Sequence, residues 1–159
     1  MLTALSIRDV VLVDALDLEV QDGLTVLTGE TGAGKSIILD ALGLALGGRG
    51  DAGLVRAGAR QAVATAVFSA PDDADLMALI ADKGFEAQPG EDLILRRVLG
   101  TDGRSRAYVN DQPAGVTALR EIGAALVEVH GQHETVGLLD WRNHRGLLDA
   151  YAGVQPQLQ

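Results

Sequence analysis

Apolar positions in the first third of the chain fall into short runs separated by polar and glycine-rich turns. Three of these runs are predicted strands: Leu2–Val10, Leu16–Val20 and Leu24–Thr28. The third run ends at Gly29, and a longer apolar stretch, Lys35–Leu46, has the length of a helix. The pattern therefore predicts strand, loop and helix in succession across residues 24–46.

The remaining sequence alternates between strand and helix patterns. Further strands are predicted at Ala62–Ser69, Leu93–Leu99, Arg104–Asn110 and Ala125–His130. Further helices are predicted at Ala74–Lys83, Ala114–Ala124 and Trp141–Tyr151. Asp72 or Asp73 would cap the first of these helices and Gly84 would end it, while Gly100–Gly103 would turn a hairpin. This order predicts a mixed α/β domain.

The loop of the first strand–loop–helix unit carries a complete P-loop. Residues 29–36 read Gly-Glu-Thr-Gly-Ala-Gly-Lys-Ser. Glycines let successive backbone N–H groups turn toward phosphate oxygens, and the following helix directs its positive end to the same place. Lys35 would contact the β- and γ-phosphates, and the Ser36 hydroxyl would bind Mg²⁺. The motif predicts a polyphosphate nucleotide with Mg²⁺ as ligand.

Composition limits the class of protein. The chain has 159 residues and 47% hydrophobic content, enough for one domain with a sizeable core. It has no cysteine, which fits a reducing cytosol and excludes thiolate metal sites. It contains no apolar stretch of membrane-spanning length and no basic segment before an apolar one. We therefore expect a cytoplasmic protein without a membrane partner.

The net charge of −9 disfavours a stand-alone nucleic-acid binder, because the overall field would repel a phosphate backbone. Local clusters of positive charge remain, and they consist almost entirely of arginine. One cluster flanks the predicted hairpin and the other follows the P-loop helix: Arg96, Arg97, Arg104 and Arg106, and Arg49, Arg56 and Arg60. The first cluster keeps open the alternative of a self-contained small P-loop kinase, whose lid would use these arginines.

A P-loop alone does not hydrolyse ATP, and the usual second acid is hard to find in this sequence. Val136–Asp140 is short and contains a glycine, and Asp149 lies in a predicted helix. A GTPase is disfavoured because the guanine-reading Asn-Lys-x-Asp motif is absent. The sequence therefore predicts a nucleotide site whose catalytic parts are incomplete.

Residues 130–134, His-Gly-Gln-His-Glu, allow three interpretations. A zinc site would need a histidine four residues after His133, but Gly137 stands there. A polar turn after a buried strand is the second interpretation. The third is a glutamine that follows a strand and contacts Mg²⁺ and the attacking water, as in ABC-type ATPases. The last one fits best and assigns this role to Gln132.

These motifs together resemble the RecN family, bacterial DNA-repair ATPases of the SMC-like class. The resemblance is most specific at Val26–Leu42, Leu46–Gly50 and Val127–Glu134, weaker over residues 70–120, and extends over residues 1–150. It implies a P-loop NTPase fold: the N-terminal lobe of an ABC-type ATPase head, with a mixed sheet and an antiparallel β subdomain. Residues 151–159 would begin a connector toward a coiled coil absent from this chain.

The resemblance also implies the residues of the site. Nucleotide would contact the loop and two further positions: Gly29, Glu30, Thr31, Gly32, Ala33, Gly34, Lys35, Ser36, Ile37 and Arg56. Lys35 and Gln132 would act in catalysis, Ser36 and Gln132 would hold Mg²⁺, and Arg49 competes with Arg56 for its role. The implied partners are the protein's own C-terminal head lobe and coiled coil, a second head in a homodimer, and DNA. ATP and Mg²⁺ would be the cofactors, in a cytoplasmic, nucleoid-associated protein that repairs double-strand breaks by recombination.

Overall fold

The computed structural model describes residues 1–29, 33–127 and 129. Over this part of the chain the elements are β1 (Leu2–Val10), β2 (Val13–Glu19), α1 (Ala33–Ala45), β3 (Gln61–Phe68), α2 (Ala74–Asp82), β4 (Leu93–Gly100), β5 (Ser105–Val109), β6 (Gln112–Ala114) and α3 (Val116–Leu126). A short 3₁₀ helix, Ala52–Leu54, lies between α1 and β3.

The strands form one six-stranded sheet in the order β2-β1-β3-β4-β5-β6, and each of these pairs is antiparallel. Strict alternation along β3 and β4 turns every second side chain toward the covered face, where apolar residues are fully buried. Phe68, Leu95 and Leu99 belong to this buried set. The covered face of the sheet is therefore the hydrophobic core of the unit Met1–Val127.

Helices cover that face. α1 packs on β1, β3 and β4, while α3 packs on β5 and α2. The end of α1 approaches α3 so closely that side chains are excluded at two glycines. A Cβ on Gly47 would lie 2.5 Å from the backbone N of Arg120, and one on Gly123 would lie 2.7 Å from the Leu46 carbonyl oxygen. Gly47 also has φ +85°, a conformation that suits glycine.

Most of the predicted elements within the described residues are confirmed, with ends shifted by a few residues. Asp73 caps α2 by accepting a hydrogen bond from the Asp75 N–H at 2.9 Å. Lys83 ends α2, and Gly84 follows with φ +84°. The hairpin between β4 and β5 turns at residues 101–104 as expected.

The predicted strand Leu24–Thr28 is wrong: these residues belong to no strand. Leu24 is 92% exposed and Val26 is 68% exposed. A strand needs a neighbour to pair with its N–H and C=O groups, and β2 in this sheet pairs with β1 alone. The segment therefore has the composition of a strand but pairs with no strand among the described residues.

Two differences occur at the other end of the described chain. β6 was not predicted, because three residues including Pro113 are too few to show a periodic pattern. The predicted strand Ala125–His130 is wrong at its start, since Ala125 and Leu126 complete α3. The helix Trp141–Tyr151 lies outside the described residues, and the boundary between residues 1–150 and 151–159 stays a prediction.

Candidate functional site

The P-loop, residues 29–36 and here also called the phosphate loop, begins at the end of an irregular segment and runs into the N-terminus of α1. Gly29 is exposed at the end of that segment, and α1 begins at Ala33. Lys35 is half-buried in the first turn of the helix, and its ammonium donates a hydrogen bond to the Gly29 carbonyl oxygen. The Lys35 side chain therefore contacts the first residue of the P-loop motif.

Three local features fit a bound polyphosphate. The first turn of α1 contains no acidic residue, so its positive end is not neutralised from within the helix. A Cβ placed on Gly34 would meet no atom of the described residues within 4 Å, so none of them fills the space beside it. Ser36 is exposed next to Lys35, with a hydroxyl that could bind Mg²⁺. These residues can bind and orient phosphate groups, and bound Mg²⁺ would supply charge neutralisation there.

The structure describes some of the predicted site residues and leaves others outside the described part of the chain. Glu30, Thr31, Gly32 and Gln132 lie outside the described residues, and for Ala33 only the helical backbone is described. Ile37 is 3% exposed and packs in the core, so its backbone N–H, rather than its side chain, could face nucleotide. The assignment of each of these residues to the site stays a prediction.

Arg56 contacts two carboxylates at the turn between β1 and β2. Its Nε lies 2.7 Å from Oδ1 of Asp9, and its Nη2 lies 2.8 Å from Oδ1 of Asp14. The hydrogen bond to Asp9 raises the pKa of Arg56 above its ordinary value. Asp9 and Val11 both have positive φ, so this turn is strained and the arginine holds it in place. Reaching nucleotide or DNA would require Arg56 to leave both partners, whereas the exposed Arg49 has no ion pair with described residues.

The arginines of the β4–β5 hairpin do not lie on one surface. Arg96 pairs with Asp111 at 2.9 Å and lies over the Tyr108 ring at 4.6 Å from its centroid. Arg97 points to the opposite, covered face and is 4% exposed. Its Nη2 donates to Ser105 at 2.8 Å, but Nε and Nη1 have no acceptor among the described residues. Burial lowers the pKa of Arg97, and the charge of Arg120 lowers it further. The lid expected for a small kinase is therefore split between two faces.

A second group of positive charges was not recognised as a group from the sequence. A cavity of about 790 Å³ at the hairpin end of the sheet is lined by Arg60, Gln61, Val98, Gly100, Thr101, Asp102, Arg104, Ser105 and Arg106. Arg104 and Arg106 were noted beside the hairpin, whereas Arg60 was assigned to the loop after α1. The register of β3 against β4 brings them together, and composition alone does not give that register.

The described part of the chain lacks two kinds of feature. These residues include no group of three or more histidine or acidic residues placed to hold a metal ion. None of the helices among them has both the length and the apolar character needed to cross a membrane. The assignment of Ser36 and Gln132 as Mg²⁺ ligands stays a prediction.

Comparison with known proteins agrees with this geometry. A family model described as "AAA domain" matches residues 4–70. The DNA repair protein RecN of Vibrio cholerae is 43% identical over 153 residues, which are 96% of this chain and 27% of that protein. The chain is RecN-like. The DNA repair protein RecN of Bacillus subtilis is 40% identical over 98% of the chain and 27% of its own length. The RecN-like chain thus spans about a quarter of these relatives.

Solved structures identify the fold of the RecN-like chain. A structure described under ATP-driven dimerization and DNA stimulated activation of SMC ATPases matches with a TM-score of 0.64 and 22% identity, over 94% of this chain and 98% of that one. An Smc head bound to the C-winged helix domain of ScpA matches with a TM-score of 0.64 and 24% identity, over 82% and 42% of the two chains. A structure of the recombination mediator protein RecF-ATPrS matches with a TM-score of 0.59 and 15% identity, over 75% of this chain and 29% of that one. The RecN-like chain therefore has the fold of the N-terminal lobe of an SMC-type P-loop ATPase head.

Proposed function

We propose that this chain is the ATP-binding N-terminal half of the head of a RecN-like ATPase that acts in DNA double-strand break repair and recombination. It binds ATP with Mg²⁺ and hydrolyses ATP only when its C-terminal head lobe and a second head join it. The nucleotide site is thus composite, because it is completed by other parts of the protein. The observation that supports a composite site is the exposed segment directly before the phosphate loop.

That segment has the composition of a buried strand and the exposure of a surface loop. Leu24, Val26 and Leu27 are 92%, 68% and 47% exposed, and Leu39 on α1 is 47% exposed. Exposed apolar groups gathered beside a binding loop are typical of a surface that another part of a protein covers. They support a nucleotide site that is completed by protein beyond the described residues.

Each described residue of the loop has a role in this proposal. Lys35 transfers its hydrogen bond from Gly29 to the β- and γ-phosphates, and Ser36 binds Mg²⁺. The backbone N–H groups at the N-terminus of α1 hold the phosphate charge. Gln132 positions the attacking water and contacts Mg²⁺. A catalytic acid and a signature motif come from the C-terminal lobe and the second head.

The proposed partners follow from the relatives. Proteins 34% to 44% identical to this chain carry the name DNA repair protein RecN, which supports DNA as a partner of the whole protein. SMC heads with coiled coils are among the similar folds, which supports a coiled coil. Another similar fold is described under ATP-driven dimerization of SMC ATPases, which supports a homodimer joined head to head. The protein would act in the cytoplasm, associated with the nucleoid.

The composite site is tested by comparing the 159-residue chain alone with the same chain joined to its C-terminal lobe. The chain alone should bind ATP with Mg²⁺ weakly in calorimetry and give almost no phosphate release. The joined head should turn over ATP, and more so as its concentration allows two heads to meet. Rapid hydrolysis by the chain alone, abolished by Lys35→Ala, would contradict the composite site and favour a self-contained enzyme.

A further inference from the structure

Three arginines line the cleft at the hairpin end of the sheet: Arg60 directly before β3, Arg104 in the turn between β4 and β5, and Arg106 in β5. We infer that this cleft, formed around Arg60, Arg104 and Arg106, holds consecutive backbone phosphates of DNA. This inference rests on the proposed function, in which DNA is a partner of the whole protein. It adds a contact surface that is separate from the phosphate loop.

Backbone hydrogen bonds fix the positions of the three arginines. The Thr101 N–H donates to the Arg60 carbonyl oxygen at 3.2 Å, and the Gly100 N–H donates to the Arg104 carbonyl oxygen at 2.8 Å. Arg106 stands opposite Val98 in the β4–β5 ladder. Since neighbouring strands are about 4.8 Å apart, arginines on the outer two of three strands have backbones about 10 Å apart. Their long side chains can therefore reach different phosphates of one nucleic-acid strand.

The charge of the cleft is largely uncompensated. Among described residues, Arg60 has no ion pair, and Arg106 contacts only Gln61 Oε1, at 3.4 Å. Arg104 lies 3.7 Å from Asp102, the single acidic residue of the lining. Elsewhere on the unit, four basic residues each pair with a carboxylate: Arg8, Arg56, Arg96 and Lys83. A local excess of two positive charges in a chain of net charge −9 points to an anionic ligand at this place.

A fourth arginine lies directly behind the wall of the cleft. Ser105 lines the cleft, and its hydroxyl accepts the hydrogen bond from the buried Arg97. Two nitrogen atoms of Arg97 remain without an acceptor, which costs stability in a buried position. Its charge adds to the positive potential felt by an anion in the cleft, because the surrounding core screens it poorly.

The lining favours the backbone of a polymer over a free nucleotide. It contains no aromatic residue, and its one large apolar side chain is Val98. A base would find no aromatic ring to stack on, while phosphates would meet exposed arginines. Contacts of this kind position DNA without reading its sequence. The cleft is therefore expected to bind duplex DNA with strong dependence on salt and little dependence on sequence.

The test compares two double variants of the intact protein that remove the same charge. Arg60→Gln with Arg106→Gln removes two cleft arginines, and Arg8→Gln with Lys83→Gln removes two paired charges outside the cleft. Binding of a short fluorescent duplex is measured by anisotropy across a salt series. Each lost phosphate contact should weaken binding roughly eightfold at about 0.1 M salt and reduce the salt slope by about one. The control should differ little from wild type, and calorimetry should give unchanged ATP binding for both.

The outcomes separate the cleft from the wider proposal. Equal DNA affinity and salt slope in the cleft variant and the control would overturn the cleft assignment while leaving the ATPase proposal standing. Absence of DNA binding by the wild-type protein would overturn both, whatever the variants do. In a Lys35→Ala background, nucleotide binding that disappears with the cleft arginines would show that the cleft is a nucleotide site and would also overturn the assignment.

A substitution with the opposite effect strengthens the test. Asp102→Asn removes the one carboxylate of the lining but keeps the oxygen that accepts the Arg104 N–H at 3.0 Å, so the turn is preserved. Duplex affinity should rise several-fold at low salt and converge on wild type at high salt. Unchanged or weaker affinity at low salt would argue against phosphate in the cleft.

Discussion

Gly47 at the end of α1 lies directly against the backbone of Arg120 in α3. A Cβ at Gly47 would approach the Arg120 nitrogen to 2.5 Å, and the Gly47 carbonyl oxygen accepts a hydrogen bond from Arg120 Nε at 3.1 Å. Gly123, one turn farther along α3, lies against Leu46 in the same way. The helix that begins at the phosphate loop is therefore fixed at its far end by contacts that only glycine permits.

Alanine at Gly123 should destabilise the fold by about 1–3 kcal/mol, since the new methyl group overlaps the Leu46 carbonyl. Gly47→Ala should cost more, because it adds a strained positive φ to the clash. Gly43→Ala is the matched control: it lies within α1 with open space around it and should gain up to about 1 kcal/mol. Urea unfolding measures all three, and a neutral Gly123→Ala would contradict the close approach.

Lys35→Ala should abolish most nucleotide binding while leaving the fold intact. Lys35 is only half-buried and its ammonium contacts the loop, so the core loses nothing when it is removed. Loss of a charged hydrogen bond corresponds to about 1.5–3 kcal/mol of binding energy. Calorimetry with ATP and Mg²⁺, alongside thermal unfolding, checks both parts. Lys83→Ala, which removes the lysine directly after α2, should bind nucleotide normally. Unfolding of Lys35→Ala would mean that Lys35 has a structural role instead.

Gln132→Ala in the complete head should retain ATP binding and slow hydrolysis. The reason is that the amide is assigned to the attacking water and Mg²⁺ and not to the phosphates alone. Steady-state phosphate release, set beside the dissociation constant for ATP, separates the two effects. Gln88→Ala changes an exposed glutamine in a turn and serves as the control. Unchanged turnover in Gln132→Ala would remove this residue from the site.

The Arg8–Asp17 pair between β1 and β2 should make stability depend on acid pH. The hydrogen bond from Arg8, reinforced by one from Ser6, lowers the pKa of the Asp17 carboxyl below its ordinary value. A depressed carboxyl pKa contributes stability above the ordinary pKa of about 3.9, and this contribution is lost as pH falls through the lowered value. Wild type should therefore exceed Asp17→Asn in stability at neutral pH and lose that advantage in strong acid. A constant difference from neutral pH to the acid end would contradict the shift.

Arg97→Met should stabilise the isolated fold by about 1 kcal/mol, since it removes a buried charge with unpaired donors and keeps a side chain of similar length. Denaturant unfolding measures the change. Arg97→Lys is the comparison: it retains the charge and should not stabilise. If methionine destabilises the fold, the hydrogen bond from Arg97 to Ser105 contributes more to the free energy of unfolding than the burial of the guanidinium removes.

The local patterns of this sequence were enough to predict most of the fold. Alternation predicted β1, β3, β4 and β5, and the capping residues Asp73 and Gly84 marked the ends of α2. The strand predicted at Leu24–Thr28 is wrong because its composition suits a strand, whereas pairing also requires a neighbouring strand from elsewhere in the chain. The phosphate loop was found because its residues are consecutive. The arginine cleft was missed because Arg60 and Arg106 meet only through strand register.

The pairing of β1 with β3 closes a long stretch of chain, from Val10 to Gln61, that includes the phosphate loop and α1. Closing a flexible loop becomes costlier only slowly with its length, by about 0.6 kcal/mol for each doubling. Folding therefore sets little limit on how many residues lie between Val20 and Ala33. Residues inserted there would leave the sheet able to form, so the folding of the sheet does not fix the length of that connection.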